Sequence, residues 1–312
     1  MFKDWYFGVR GTFSYAHNTL DQIFETDATY NNPNRRRTGR ADGTMFGYKC
    51  LGYFTYDDFN PDGSLLRRQQ MRMLDILLEV DRICRKHNIT YWLSSGTLIG
   101  AVRHKGFIPW DDDLDIEMLL PDYERLMKIL PQELPDTMAL QTQDTDPNYF
   151  FFYAKVRDRR SRLDENTGYD RTWKEKGIYI DIFPFYKQPL WIHLLSEKTI
   201  GHAYKILRTE GDKSMWKVRA LTRFNRRIIH PVLRLLCRLW PSARETYGLG
   251  IPYHDPRHME DTLPLTETEF EGHMMPVPKD CHKALTLKYG DYMKLPDTDR
   301  LQLHVSRIDI WD

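Results

Sequence analysis

The densest chemistry in the chain is a run of acids, Asp111-Asp112-Asp113-Leu114-Asp115-Ile116-Glu117. On an extended strand, residues two apart share a face, so Asp113, Asp115 and Glu117 line one side while Leu114, Ile116 and Met118 turn toward a core. Carboxylates set side by side repel and call for a compensating cation. An all-oxygen donor set suits Mg²⁺ or Mn²⁺, which keep positions open for water or phosphate. The plainer reading is a solvated acidic turn. The apolar residue between each pair of acids counts against it.

A second element lies shortly before the acids. Residues 89–93 (ITYWL) are β-branched or aromatic almost throughout and read as a buried strand. Ser94-Ser95-Gly96-Thr97 then makes a turn into a short helix over 97–104. Glycine lets a backbone approach an anion, and a helix start supplies free N–H groups and a favourable dipole. Ser95, Gly96 and Thr97 are therefore candidate phosphate-binding residues; the alternative is an ordinary strand-to-helix turn. Arg103 and Lys105, just beyond, are candidates for neutralising phosphate charge, or else solvated loop positions.

Two further groups stand out. Asp181 lies between Ile180 and Ile182 in the apolar run 178–183, where a lone carboxylate is costly and needs a partner. In the strand candidate 150–156 and its continuation, Tyr153, Lys155 and Arg157 share a face, which either binds a phosphate-bearing substrate or is simply exposed.

The elements that must position these residues follow from periodicity. Ser64 can cap a helix running to about residue 87, with Leu66, Met73, Leu74, Leu77 and Ile83 at helical spacing. Strands are expected over 114–119, 138–141, 150–156 and 178–183, and a helix opens at Pro121-Asp122. Residues 190–240 read as two or three helices, and a last helix runs from 278 or 279 to 289. The order suggests an α+β fold with a helical C-terminal part. Three regions are expected: a poorly ordered extension over 1–55, a catalytic core over 56–190, and a mainly helical part over 191–312 that completes the acceptor site.

Charge and composition narrow the function. The 44 acidic and 45 basic residues give a net charge of +1, which offers no global argument for a nucleic-acid partner. The first residues lack the apolar core of a signal peptide, and no run is long and charge-free enough to span a bilayer. Four scattered cysteines form no zinc or disulfide pattern and suit a reducing compartment, so a cytoplasmic protein is expected. Residues 196–240 hold 11 Lys/Arg against three Asp/Glu. The basic, apolar stretch 223–240 could rest on the inner face of the cytoplasmic membrane, or pack on the core with a solvated basic side. Pro231 should interrupt it. His254 and His258 are separated by Pro256 and read as loop rather than as a helical metal pair.

Together the segments resemble a known family. The stretch from Tyr91 to Ile116, containing Ser94-Ser95-Gly96-Thr97-Leu98-Ile99-Gly100 and Gly106-Phe107-Ile108-Pro109-Trp110-Asp111-Asp112-Asp113-Leu114-Asp115, looks like the signature of LicD-type proteins. Gly177-Ile178-Tyr179-Ile180-Asp181-Ile182-Phe183-Pro184, Tyr289-Gly290-Asp291-Tyr292-Met293 and His304 extend the resemblance, which runs from about Asp57 to His304. These proteins include bacterial phosphocholine transferases, are related to fukutin-related ribitol-phosphate transferases, and are similar to nucleotidyltransferase-fold enzymes. The resemblance implies a nucleotidyltransferase-like mixed sheet with flanking helices. It also implies metal on Asp113, Asp115 and Asp181, and phosphate at Ser95 and Gly96. Asp291 and His304 join as substrate-binding residues through the resemblance alone. The implied reaction is metal-dependent transfer of a phospho-alcohol from a CDP-activated donor such as CDP-choline to a saccharide or lipid-linked glycan, in lipopolysaccharide or capsular polysaccharide biosynthesis. The alternatives are a nucleotidyltransferase delivering NMP to a small acceptor, and a non-catalytic glycan- or lipid-binding relative. The zinc-binding cysteines of the fukutin-related proteins have no counterpart.

Overall fold

A computed structural model describes residues 60–295 and 305–311. The expected N-terminal extension and His304 lie outside the described residues. Twenty-two residues after Ser64 form the first helix, α1 (Leu65–Lys86), with the Ser64 hydroxyl accepting from the Arg67 N–H. Then come β1 (Trp92–Leu93), α2 (Ser95–His104), β2 (Asp115–Leu119), α3 (Leu120–Glu133), β3 (Met138–Gln141), β4 (Ala154–Asp158), β5 (Ser161–Glu165) and β6 (Tyr179–Lys187). The second half supplies α4 (Leu190–Glu210), α5 (Met215–Phe224), α6 (His230–Leu239), β7 (Glu245–Tyr247), α7 (Met259–Thr262), β8 (Thr266–Phe270), β9 (His273–Val277), α8 (Cys281–Tyr289) and β10 (Val305–Ile310).

The main sheet has the order β1-β2-β6-β4-β3, with β7 added to the last residues of β6. Only β2 and β6 run parallel; the other pairs are antiparallel. Alternation gives the sheet two unlike faces. Ile116, Met118, Ile180 and Ile182 join α1 and α3 in one aliphatic core, through Leu74, Leu77, Val80, Leu126 and Leu130. On the opposite side Phe183, Phe185 and Tyr247 enter an aromatic cluster with Tyr149, Phe151, Tyr153 and Trp173, closed by Ile200 and Ala203 of α4. This mixed architecture is the expected α+β fold.

Two expectations are modified. The aromatic run Tyr149–Tyr153 does not start a strand; those rings fill the cluster under α4, and β4 begins only at Ala154. The C-terminal part is helical over α4–α6, yet it also returns β7 to the sheet and adds the β8–β9 hairpin. Pro231 sits in the first turn of α6 behind a wider helical turn at Asn225–Ile229, so the interruption falls where its missing N–H is tolerated.

Candidate active site

The parallel pairing of β2 with β6 decides the geometry. Its register sets Asp115 directly opposite Asp181, one strand spacing of about 4.8 Å away. The next rung on that face sets Glu117 opposite Phe183. Asp115 is partly exposed. Desolvation, reinforced by repulsion from Asp113 and Asp181, holds its carboxyl well above the usual carboxylate range, against a smaller pull from Lys288. Burial likewise raises Asp181, to about 6, although Lys155 pulls the other way. The Lys155 ammonium stands 2.8 and 3.2 Å from the two Asp181 oxygens. It also lies 3.3 Å from the centre of the Tyr179 ring and 3.6 Å from Glu165.

Glu117 behaves in the opposite sense. It is fully enclosed, and burial alone would raise its pKa. The Arg257 and Lys288 charges, with hydrogen bonds from Tyr247 and Arg257, reverse that and hold it below the ordinary value. The Trp92 indole N–H and the Tyr247 hydroxyl each donate to it at 2.8 Å, and Arg257 at 2.5 Å. Of two carboxylates on one strand face, Glu117 already has its cation inside the protein and Asp115 does not. Neighbouring acids with opposed shifts divide into a structural and a chemical role. The sequence-level grouping of Glu117 with Asp113 and Asp115 therefore gives way to a buried ion pair.

The turn before α2 is stitched to the same point. The Ser94 N–H donates to the Asp115 carbonyl at 3.1 Å, and the Thr97 hydroxyl accepts from the Asp115 N–H at 2.9 Å. Ser95 holds φ +51°, sparsely populated for a residue with a Cβ. Its hydroxyl accepts from Lys288 at 2.8 Å. A Cβ at Gly96 would stand 2.6 Å from Asp111 Oδ2, so a larger residue here would push the Asp111 carboxylate aside. That loop is held from behind by α1: Gln69 donates to the Asp112 carbonyl at 2.7 Å, and Gln70 to those of Asp111 and Ile108 at 2.9 and 3.2 Å. Glu271 in the β8–β9 turn accepts from the Phe107 N–H and pairs with Arg67.

Other candidates are placed differently. Lys105 caps α2 with its side chain 75% exposed and 3.5 Å from Glu269, on the hairpin side. Arg103 reaches the Tyr292 carbonyl at 2.7 Å and so ties the Tyr289–Met293 segment to α2. Asp291 in that segment is exposed. Arg157 shares a face with Tyr153 and Lys155 as expected, but the face is covered. Its guanidinium donates to Gln141, the Gly177 carbonyl and Glu165, with no exposed surface. In this arrangement it braces Glu165 and cannot touch a ligand.

Three residues at the site carried no local signal in the sequence. Lys288, in the last turn of α8, donates to Ser95 and, at 2.9 Å, to the Tyr247 hydroxyl. The Tyr247 hydroxyl in turn donates to Glu117, which holds Arg257, and Arg257 lies 3.4 Å from Asp255. The one clue was position: Lys288 immediately precedes the Tyr289-Gly290-Asp291 motif.

Among the described residues, no three Asp, Glu, His or Cys side chains are drawn together tightly enough to hold a metal ion as they stand. Asp181 leans onto Lys155, and like charges keep apart. The donor set nonetheless fits a hard divalent cation: oxygen only, desolvated, adjacent in register, with Asp113 and Asp181 raising the cost of ionising Asp115. Two open hollows of about 380 and 670 Å³ lie along the start of α1 and β10, and none of these acids lines them.

Residues 88–232 match the model of the LicD/FKTN/FKRP nucleotidyltransferase domain. These residues thus carry a LicD-type domain. LicD-family relatives include the lipopolysaccharide cholinephosphotransferase LicD of Haemophilus influenzae, 29% identical over 260 residues, which span 77% of this chain and 95% of that protein. The mouse ribitol-5-phosphate transferase FKTN is 29% identical over 114 residues, and the human ribitol 5-phosphate transferase FKRP 50% identical over 98. The matched parts cover only 24% and 17% of those two proteins. With the family comes the class of activity: the chain is a phosphotransferase. Among the described residues no helix is long and apolar enough to cross a membrane.

Proposed function

We propose that this LicD-family phosphotransferase moves a phospho-alcohol group, phosphocholine-like, from a CDP-activated donor to a hydroxyl of a cell-surface saccharide, free or lipid-linked. The observation that carries the reading is the Asp115–Asp181 rung beside the Ser95-Gly96 turn: two desolvated acids next to a helix start and a lysine. The similarity to a cholinephosphotransferase along nearly its whole length supports the substrate class.

The donor diphosphate lies over Ser95 and Gly96, where the start of α2 and Lys288 offer positive potential. Asp113 and Asp115 are the residues that would hold Mg²⁺ or Mn²⁺, with Asp181 as the third carboxylate; bound there, the ion supplies charge neutralisation to the phosphate oxygens. The acceptor oxygen attacks phosphorus, the bond to the CMP oxygen breaks, and Asp181, where it does not hold the ion, takes the acceptor proton as general base. A carboxyl raised toward neutrality, fixed by Lys155, is suited to that transfer. Positioning and charge neutralisation supply most of the acceleration.

The second reading, delivery of NMP from an NTP, would use the same three acids. The test is a screen of CDP-alcohols and NTPs with Mg²⁺ or Mn²⁺ and a saccharide acceptor. CMP release with a CDP-alcohol supports phospho-alcohol transfer, and pyrophosphate release from an NTP replaces it. Turnover undiminished in Asp113→Asn and Asp115→Asn would end the catalytic reading altogether.

A further inference from the structure

The α5–α6 arm presents an apolar ridge on the side away from the protein. Its inward positions, Asn225, His230, Leu233 and Cys237, are buried, and Leu233 and Cys237 pack with Ile192 and Leu249. Ile228, Val232, Leu235 and Leu239 recur at helical spacing on the opposite side and are 51–62% exposed. Trp240 at the end of the arm meets Trp191 of α4 edge-on at 6.4 Å, and both rings are about half exposed, at 57% and 48%. A continuous apolar surface spanning two helices is unusual on an isolated protein and marks an interaction site.

Charge says what it meets. No Asp or Glu occurs between Met215 and Arg244. Of the six arginines on the arm, Arg219 is half-buried and two are tied to the body of the protein: Arg226 to Asp144 and Arg234 to Glu124. The other three, Arg223, Arg227 and Arg238, are exposed and make no ion pair among the described residues. The arm thus offers an apolar ridge, paired tryptophans and uncompensated guanidinium groups together. A second copy of the chain would bring the same positive surface against itself in a two-fold contact. The chain's own residues 1–59 carry seven Lys/Arg and seven Asp/Glu, and so bring no excess of negative charge.

We propose that the arm docks the enzyme on an anionic lipid surface, with the ridge and tryptophans in the headgroup boundary and the three arginines on lipid phosphates. This goes beyond the reaction and does not depend on the donor. The test is co-sedimentation of the full chain with phosphatidylcholine vesicles, with and without phosphatidylglycerol, at rising salt. Two variants accompany it, Leu235→Ser/Leu239→Ser and Arg227→Glu/Arg238→Glu. All four positions are exposed, and unchanged circular dichroism and thermal midpoint establish that the variants fold.

Wild type should bind only the anionic vesicles and release as salt rises. Each variant should bind at least about tenfold more weakly. Failure of wild type to bind, or equal binding by the variants, overturns the proposal. So does sedimentation showing a wild-type dimer that the ridge variant converts to monomer, because a second copy would then own the face. CMP release with a water-soluble acceptor is measured in parallel, so that loss of docking is distinguished from loss of the reaction.

Discussion

Replacing Asp115 by Asn should stabilise the metal-free protein while disabling it. Asp181 is raised from the ordinary 3.8 to about 6, so its ionisation disfavours the folded state. At ~1.36 kcal/mol per pH unit, that interval corresponds to about 3 kcal/mol. The sign follows from proton counting. Between 3.8 and about 6 the folded state binds more protons than the unfolded one, so this stability is fully present below 3.8 and is lost as pH rises through about 6. Asp115 is pushed the same way by burial, Asp113 and Asp181, and removing its charge relieves both its own desolvation and the repulsion on its neighbours. In the absence of divalent ions at neutral pH, the Asn variant should gain about 1 kcal/mol, the usual scale for relieving one like-charge contact across a strand pair, or roughly 2–4 °C in Tm. The gain should vanish in acid, where wild type is neutral too. Saturating Mn²⁺ should invert the order, because a ligand stabilises only a state that binds it. Thermal denaturation across pH, with EDTA and with Mn²⁺, measures all three. A variant less stable than wild type without metal, or equally stabilised by Mn²⁺, would refute the assignment of unbalanced charge to this rung.

Mn²⁺ affinity measured by calorimetry should strengthen as pH rises through about 6, with net proton release, because Asp181 must lose its proton to share the ion. Lys155→Met removes the main pull holding Asp181 down, so this dependence should shift to higher pH; an unchanged profile would show that the Lys155 pair does not set it. Arg257→Met strands Glu117 among Trp92, Tyr247 and Phe185 and should cost about 3–5 kcal/mol in a denaturant melt, whereas Arg257→Met/Glu117→Leu should recover much of it. Lys288→Met should lower kcat/KM by roughly 10²-fold if its charge serves the phosphate, with little change in Tm. Wild-type turnover in that variant would return Lys288 to a purely structural role.

Much of the site was legible because its chemistry is local. Alternation along residues 114–119 separates core from acid, and Asp181 declares itself by sitting between two isoleucines. The strand-turn-helix at Ser94–Thr97 is likewise a short-range pattern. What could not be read comes from distant contacts. Nothing in the acidic run tells Glu117 from Asp115; only Arg257, far along the chain, makes one a buried pair and leaves the other short of charge. Arg157 was assigned to the right face, but whether that face is open depends on the rings of Trp173 and Tyr179, which cover it. The aromatic run before β4 has strong strand preference and is overridden by packing against α4.

The rung joining β2 to β6 also bears on how such a protein can diversify. Because its two acids meet through a parallel ladder and not through a loop, the loops joining α3, β3, β4 and β5 between the strands can change while β4 keeps Lys155 on Asp181 and the two acids stay opposed. Donor and acceptor preferences can therefore be rewritten in the connecting segments while the reacting pair stays where hydrogen bonds between backbones have put it.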